Sequence, residues 1–541
     1  MNLQLPQRKK PGNYSFHTDP AALTAWLNDL PMLNTERTRE LLDGALQQVN
    51  ALELPTQQRQ KALELFTKTV ICTTDALKKK FLNKPLPLNG NNLLYATQTL
   101  ELLNQIATGY RILADDLRNN AAERPQLTIA IHRALRCLSE ILLTCYQIYI
   151  QYPEGIWKTI NLLYALADEH SITEQEVIDT TLKTPVPGSI ETVYKQALLL
   201  SLACPYRLRQ KEIYIAHSTL MEWASFSQLH HMDDDNTHGL FSINLQSDTP
   251  PSYRILGNED AANSYARILD TKSMAQRIRN SSNTGQGGTD TLQRLLLAWG
   301  AMPKRQFARQ QQDASVTLII GLNAIHSLAL EPAYDAPKTD EKIRDKDYLQ
   351  DPTFESTTKI NTNKPTGNHR ADGNNPLKGA YAADNITSSR AESWKIADIS
   401  AGGYCLLWDS DGVSCAQVGE LVALIEKEHL DPDKWQLGAI RRMKFTEERG
   451  LELGVQLLSP GATAVWARPC KDGINTGDKI QGILLPEIKA IKMQASLLLP
   501  SMPFRTDCST TFEYDGHKET VKLTQQLENT GSFTQYHFTP L

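Results

Sequence analysis

The sequence predicts a multidomain α + β protein: an all-α N-terminal half, then an antiparallel β-barrel, then a β-rich C-terminal extension. Three observations carry that expectation. Apolar residues recur at helical spacing from residue 19 to about 225. From about residue 300 the period switches to short alternating runs parted by turn residues. At 541 residues the chain also exceeds a single ordinary core, and length alone suggests about three to four domains.

Residues 1–225 are expected to form a helical bundle or an irregular solenoid of helix pairs, without a fixed repeat period. Asp19-Pro20 supplies an N-cap and a first-turn proline ahead of Leu23, Trp26, Leu27 and Leu30. Leu63, Phe66, Val70, Leu77 and Phe81 keep to one helical face, and Leu93 to Leu117 behaves the same way. Pro125 opens another run, and Pro153 restarts the pattern with Ile156, Trp157, Ile160 and Leu163. Thr173-x-x-Glu176 has the form of a capping box ahead of Val177 and Ile178. Cys204-Pro205 leads into a last helix carrying Tyr206, Leu208, Ile213, Ile215 and Trp223. The aromatic stripes read as core and this half as a scaffold.

Residues 226–295 read as a mixed connecting region. The run from His230 to His238 matches no structural zinc spacing and reads as a polar loop. Phe241 to Leu245 alternates, and Asp248-Thr249-Pro250-Pro251 is a turn. Gly285-Gln286-Gly287-Gly288 follows no strand and precedes no Gly-Lys-Ser/Thr, so it reads as a flexible loop. Leu292 to Trp299 is helical.

Residues 296–468 are expected to close into a barrel. Strand candidates are Val316 to Leu322, the run from Trp394, Tyr404 to Trp408, Gly419 to Ile425, Trp435 to Phe445 and Leu451 to Leu458. Residues 332–390 hold hardly an aliphatic cluster and cannot bury enough apolar area to offset their ordering entropy. The expectation there is a disordered insertion in a barrel loop. Residues 470–541 continue in β at Ile480–Leu485, Ser496–Leu499, Thr510–Tyr514 and Glu519–Leu523, with Asp515-Gly516 as a hairpin turn. Whether this is a separate module or extra barrel strands stays open.

Composition removes several function classes. With 41% hydrophobic and 22% charged residues and a net charge of -5, no global positive field recruits nucleic acid or acidic membranes. Any anion site must be local. The N-terminal residues lack an apolar core for a secretory signal, and the best apolar run, Ile141 to Ile150, is too short to span a bilayer. Eight cysteines without CxxC pairs favour reduced thiols in a cytoplasm, with Cys137, Cys145 and Cys204 filling core. No Ser/His/Asp or Cys/His set forms a recognisable motif, so no catalysis and no metal are expected.

Two stretches remain. Lys304-Arg305-Gln306-Phe307-Ala308-Arg309 offers two guanidinium groups four residues apart, just ahead of a strand. Trp394 to Gly403 runs as strand and tight polar turn, ending in Asp398-Ile399-Ser400-Ala401-Gly402-Gly403, with another strand after it. Taken singly, the arginines read as a solvated helix face and Asp398-Ile399-Ser400 as a turn bonding its own backbone. Taken together, Arg-x-x-x-Arg followed by Asp-x-Ser-x-x-Gly resembles the signature of PilZ domains, small β-barrels that bind the bacterial second messenger cyclic di-GMP. The resemblance covers residues 300–470 apart from the insertion, and Leu453-Gly454-Val455-Gln456 follows it.

The resemblance implies a bacterial, cytoplasmic cyclic di-GMP effector with no other cofactor. Arg305, Arg309, Asp398, Ser400 and Gly403 would bind the ligand, with Lys304, Gly402 and Arg441 as additional contacts; Arg441 and Arg442, on one barrel strand, would either add phosphate contacts or line a strand face. The chemistry suits those residue types. A guanidinium fork meets guanine O6 and N7 as a bidentate pair, stacks on a purine, or clamps a phosphate. A carboxylate at Asp398 suits guanine N1–H and N2–H or orients an arginine, while the glycines let backbone amides come close. PilZ effectors are expected to work by rearrangement: the arginine segment folds over the nucleotide and reorients the neighbouring domain, here about a hinge from Trp299 to Arg309. The helical half would meet a protein partner. Two features depart from the family pattern: the long insertion between the motifs, and Lys304 where many binders carry a third arginine. Loop closure grows only slowly with length, so strand pairing survives the insertion. The rival reading is a structural adaptor whose degenerate barrel binds protein partners without nucleotide.

Overall fold

The computed structural model describes residues 5–12, 16–181, 187–231, 239–254, 264–282, 290–300, 308–330, 391–426, 435–471, 474–489 and 492–541. The insertion read at 332–390, the glycine run at 285–288, Lys304 and Arg305 lie outside the described residues.

The N-terminal half is helical: α1 (Pro20–Asn28), α2 (Thr35–Asn50), α3 (Thr56–Phe81), α4 (Gly90–Leu117), α5 (Arg124–Gln147) and α6 (Ile156–Glu169). The predicted cap holds, with the Asp19 carboxylate accepting from the Ala21 and Ala22 amides at 3.1 Å. The capping box at Thr173-x-x-Glu176 does not start a helix. Val177–Ile178 (β1) pairs with Pro187–Gly188 (β2), and Asp179 beyond it is captured by Arg133 and Arg136 of α5. The next helix, α7 (Ile190–Leu202), takes its cap from Ser189 instead. A single turn at Pro205–Arg207 and α8 (Gln210–Trp223) complete the half.

The connecting region is more ordered than a linker. Strands β3 (Gln228–His231), β4 (Phe241–Asn244), β5 (Ser252–Tyr253) and β6 (Ala266–Asp270) form a sheet in the order β3-β6-β4-β5. His230 and His231, expected in a polar loop, are strand residues paired with Ile268 and Arg267, because the ladder to β6 satisfies their backbone. The sheet is tied to the helices: Asp248 accepts from the Gly155 and Lys158 amides at 2.7 and 2.9 Å, capping α6 from a distance. Helices α9 (Lys272–Ser282) and α10 (Asp290–Gly300) follow. Trp299 is fully buried, and its indole N–H donates to the Leu199 carbonyl at 3.0 Å.

Strand β7 (Gln310–Ile320) opens the barrel, which continues with β8 (Glu392–Ser400), β9 (Gly403–Trp408), β10 (Leu421–Glu426), β11 (Gln436–Thr446) and β12 (Gly450–Ser459). The sheet closes in the order β10-β11-β12-β9-β8-β7, with every neighbouring pair antiparallel. Trp394, Leu406, Ile440 and Leu453 fill its interior in an apolar cluster continuous with the helical half. Trp394 is fully buried, and truncating such a side chain typically costs about 3–5 kcal/mol. Between β7 and β8 the described chain holds a helix that the strand reading passed over, α11 (Leu322–Leu330). Gly321, at φ +98°, ends the strand, and Ile325 and Leu328 then pack against Ile483 and Leu498 of the C-terminal module.

That module contains β13 (Thr463–Lys471), β14 (Ile474–Asn475), β15 (Ile480–Leu485), β16 (Ser496–Leu499), β17 (Ser509–Tyr514), β18 (His517–Asn529) and β19 (Thr534–Pro540). β13, absent from the strand candidates above, pairs with both β15 and β17 and so closes the sheet. The three parts meet at Arg209, which caps α8. Its Nε donates to the Val418 carbonyl at 2.9 Å in the barrel, and Nη2 donates to Ser532 Oγ in the C-terminal module. No helix among the described residues is long and apolar enough to cross a membrane.

Candidate functional site

Strand phase decides which residues reach the site. Along β8, Trp394 and Ile396 point into the barrel, and strict alternation would carry Asp398 inward with them. A bulge between Ile396 and Asp398 prevents this. Asp398 lies opposite Cys405, and Ile399 takes the position opposite the buried Tyr404. A second irregularity, between Ile440 and Arg442 in β11, sets Arg442 opposite Gly454. The ladders then form one row across the outer face: Gln311 on β7, Asp398 on β8, Cys405 on β9, Gly454 on β12 and Arg442 on β11.

Arg309 enters this row just before β7 begins. Its Nη1 lies 3.1 Å from both carboxylate oxygens of Asp398, and its side chain stays 55% exposed. The pair is therefore open to competition from an incoming ligand. Ser400 Oγ donates to the Gly403 carbonyl at 3.2 Å, at the mouth of the turn. The turn itself is Ala401-Gly402, and the Gly402 carbonyl accepts from the Leu457 amide at 3.1 Å. Asp398 and Ser400, expected in the turn, belong to β8, because the ladder to β9 runs to the Ser400–Gly403 pair.

Gly403 is required by packing. Its φ is +151°, and a Cβ there would stand 1.9 Å from the Val455 carbonyl oxygen. No side chain fits where β9 runs so close to β12.

Further cations border the row. Arg449 Nη1 lies 3.0 Å from Glu452 Oε2, and Arg442 Nη2 pairs with Glu452 Oε1. Burial, followed by the charges of Arg309, Arg207 and Arg449, pulls the Arg442 pKa below its usual value. Burial pushes the Cys405 thiol up, so it stays neutral between these charges. Lys444, also on β11, lies over the Tyr206 ring of the helical half at 5.8 Å.

Of the sequence-read residues, Arg309, Asp398, Ser400, Gly402 and Gly403 therefore gather at one end of the row. Arg441 does not join them. Being the extra residue of the β11 bulge, it bonds Gln456 Oε1 at 2.8 Å and Glu528 of the C-terminal module. Sequence reasoning missed Arg449, in the hairpin between β11 and β12, and Arg207, in the helical half. The adjacent Arg441-Arg442 pair was the one available signal for Arg442. Among the described residues no group of His, Cys, Asp and Glu is placed to hold a metal ion.

Comparison with known proteins divides the chain into three matched parts. Residues 21–234 match the model described as cyclic-di-GMP receptor FimW, N-terminal domain. Residues 240–464 match the FimW middle PilZ domain. Residues 240–464 belong to the PilZ-domain family. Residues 465–541 match the FimW C-terminal beta-barrel domain, in keeping with the closure of the last sheet through β13. The cyclic-di-GMP receptor FimW of Pseudomonas aeruginosa is 27% identical, over 97% of this chain and 91% of its own length. No solved structure matches the chain significantly. In this PilZ domain the row from Asp398 to Arg442 occupies the outer face, and the two motifs meet at its β8 end.

Proposed function

We propose that this chain binds cyclic di-GMP on the outer face of its PilZ barrel and passes the binding event to its helical half. The observation that carries the reading is the Arg309–Asp398 pair, which joins the end of one motif to the start of the other. The name of the Pseudomonas relative, a cyclic-di-GMP receptor, supports the choice of ligand. Arg305 and Arg309 supply forks for guanine edges and phosphodiester oxygens. Asp398 accepts from guanine N–H groups or orients an arginine, Ser400 adds a hydroxyl, and Gly403 keeps the floor open. Gly402 borders the same end, and Lys304, which precedes the first arginine in sequence, would add a further cation.

Transmission has two physical routes. The motif segment runs from Trp299, held in the helical half, to Arg309 on the barrel, so folding it over a ligand pulls on both anchors. Strand β11 carries Arg442 at the row and, three residues on, donates the Phe445 amide to the Tyr149 carbonyl of the helical half at 2.7 Å. On this reading the protein is a non-catalytic cytoplasmic effector, and its helical half meets the protein partner. Calorimetric titration of the full chain tests the ligand: cyclic di-GMP should bind, with GTP and cyclic di-AMP much weaker. No heat well above micromolar cyclic di-GMP would leave the adaptor reading.

A further inference from the structure

We infer that Arg442 and Arg449 form a second anion subsite, which takes a phosphodiester of the bound nucleotide and which Glu452 fills when no ligand is present. The inference rests on the cyclic di-GMP reading above. The two guanidiniums grip opposite oxygens of one carboxylate, Oε1 from Arg442 and Oε2 from Arg449. The two free oxygens of a phosphodiester offer the same pair of acceptors, and arginine is the side chain suited to bridge them.

Burial sets the direction of exchange. The Glu452 side chain is 11% exposed, whereas those of Arg442 and Arg449 are 37% and 51% exposed. The carboxylate thus lies beneath its partners, and both cations keep a face toward solvent. Lys444 stands opposite Glu452 in the ladder, placed to take over its charge when the arginines turn outward. The floor between the two ends of the row is Cys405 and Gly454. A Cβ at Gly454 would come within 3.3 Å of the Arg442 Cβ, so the absent side chain makes room for that arginine. Three strand spacings separate Asp398 from Arg442, about 14 Å between backbones. Arginine side chains reaching in from both ends shorten that span to the scale of a ligand with two phosphodiesters.

The charges favour an anion here. Arg309, Arg442, Arg449 and Lys444 face Asp398 and Glu452 across the row, with Arg207 close enough to depress Arg442 further. A dianionic ligand relieves this excess without desolvating an unpaired cation.

The test is calorimetry of the full chain with cyclic di-GMP, comparing wild type, Arg442→Gln/Arg449→Gln, Glu452→Gln and Arg309→Gln, with thermal melts alongside. The double variant should bind about ten- to a hundred-fold more weakly, from loss of charge-assisted bonds. Glu452→Gln should bind several-fold more tightly, because the internal competitor is gone. A purely structural triad gives the opposite sign for Glu452→Gln: weaker binding in step with a lower melting temperature, which overturns the inference. Unchanged affinity in the arginine double variant, with loss in Arg309→Gln, overturns it while leaving the ligand reading intact. A wild-type protein without heat overturns both.

Discussion

Arg309 and Asp398 lie 89 positions apart in the chain, yet one guanidinium nitrogen stands 3.1 Å from both oxygens of the carboxylate. The contact depends on β7 pairing with β8 and on the bulge that takes Asp398 out of the inward phase. Exposed ion pairs of this kind contribute roughly 0–1 kcal/mol to folding. Arg309→Ala should therefore melt within a degree or two of wild type, while losing about 1.5–3 kcal/mol of cyclic di-GMP binding. Parallel melts and titrations separate the two effects. Asp398→Ala should weaken binding too.

Gly403→Ala should behave differently. The new methyl would meet the Val455 carbonyl oxygen at 1.9 Å, at a φ of +151° that alanine adopts only under strain. Separating β9 from β12 to relieve the contact breaks ladder bonds, so the expected loss is about 3 kcal/mol or more. Urea unfolding measures it. A variant as stable as wild type would show that the two strands do not run this close.

Arg209→Ala should uncouple the three parts of the molecule. It deletes bonds to Val418 and Ser532 and an ion pair with Glu420 at 3.8 Å. The expected loss is about 2 kcal/mol. Unfolding followed by both far-ultraviolet circular dichroism and tryptophan fluorescence should become less coincident, as helices and barrels separate into distinct transitions. Curves that stay superimposed would place the coupling elsewhere.

Stability should fall as the solution is acidified from neutral pH, and two histidines set the upper part of that fall. Burial, aided by Arg133 and Arg136 and opposed by Asp179, holds the His132 imidazole down at about 3. Burial also lowers His217 to about 4, with Lys78 and Arg136 assisting and Glu140 opposing. The unfolded chain protonates these histidines near pH 6.5, so between there and their folded values the unfolded state binds more protons. Each group then removes up to about 1.4 kcal/mol per pH unit. Below pH 4.5 the ion-paired carboxylates Asp179 and Glu140, whose folded pKa values are lowered, add their own loss. Urea unfolding from pH 7 to 5 isolates the histidines, and His132→Gln should flatten the slope. An unaltered slope would mean that His132 is not held neutral.

Local chemistry was legible in the sequence wherever neighbouring residues decide the structure. Asp19 and Pro20 start α1, and Asp515-Gly516, both at positive φ, turns β17 into β18 as their residue types require. The two motifs were legible as types and order of residues. What brings them to one face was not, because the bulge in β8 follows from register against β9, a long-range property. Arg441 and Arg442 looked alike as neighbours, yet the β11 bulge sends one to Glu528 and the other to Glu452. Helix α11 was hidden for another reason. Leu322 to Leu330 is a short apolar run directly after a buried strand, and such a run reads equally well as strand or helix.

On the proposed reading, the arginine segment holds cyclic di-GMP against the outer face of the barrel. Calorimetry of Arg305→Ala/Arg309→Ala beside wild type is the decisive test, with thermal melts to show that the double variant is folded. The double variant should fold and bind at least about a hundred-fold more weakly, the sum of two charge-assisted contacts. A folded double variant with wild-type affinity would contradict this reading and leave the arginines as a solvated face.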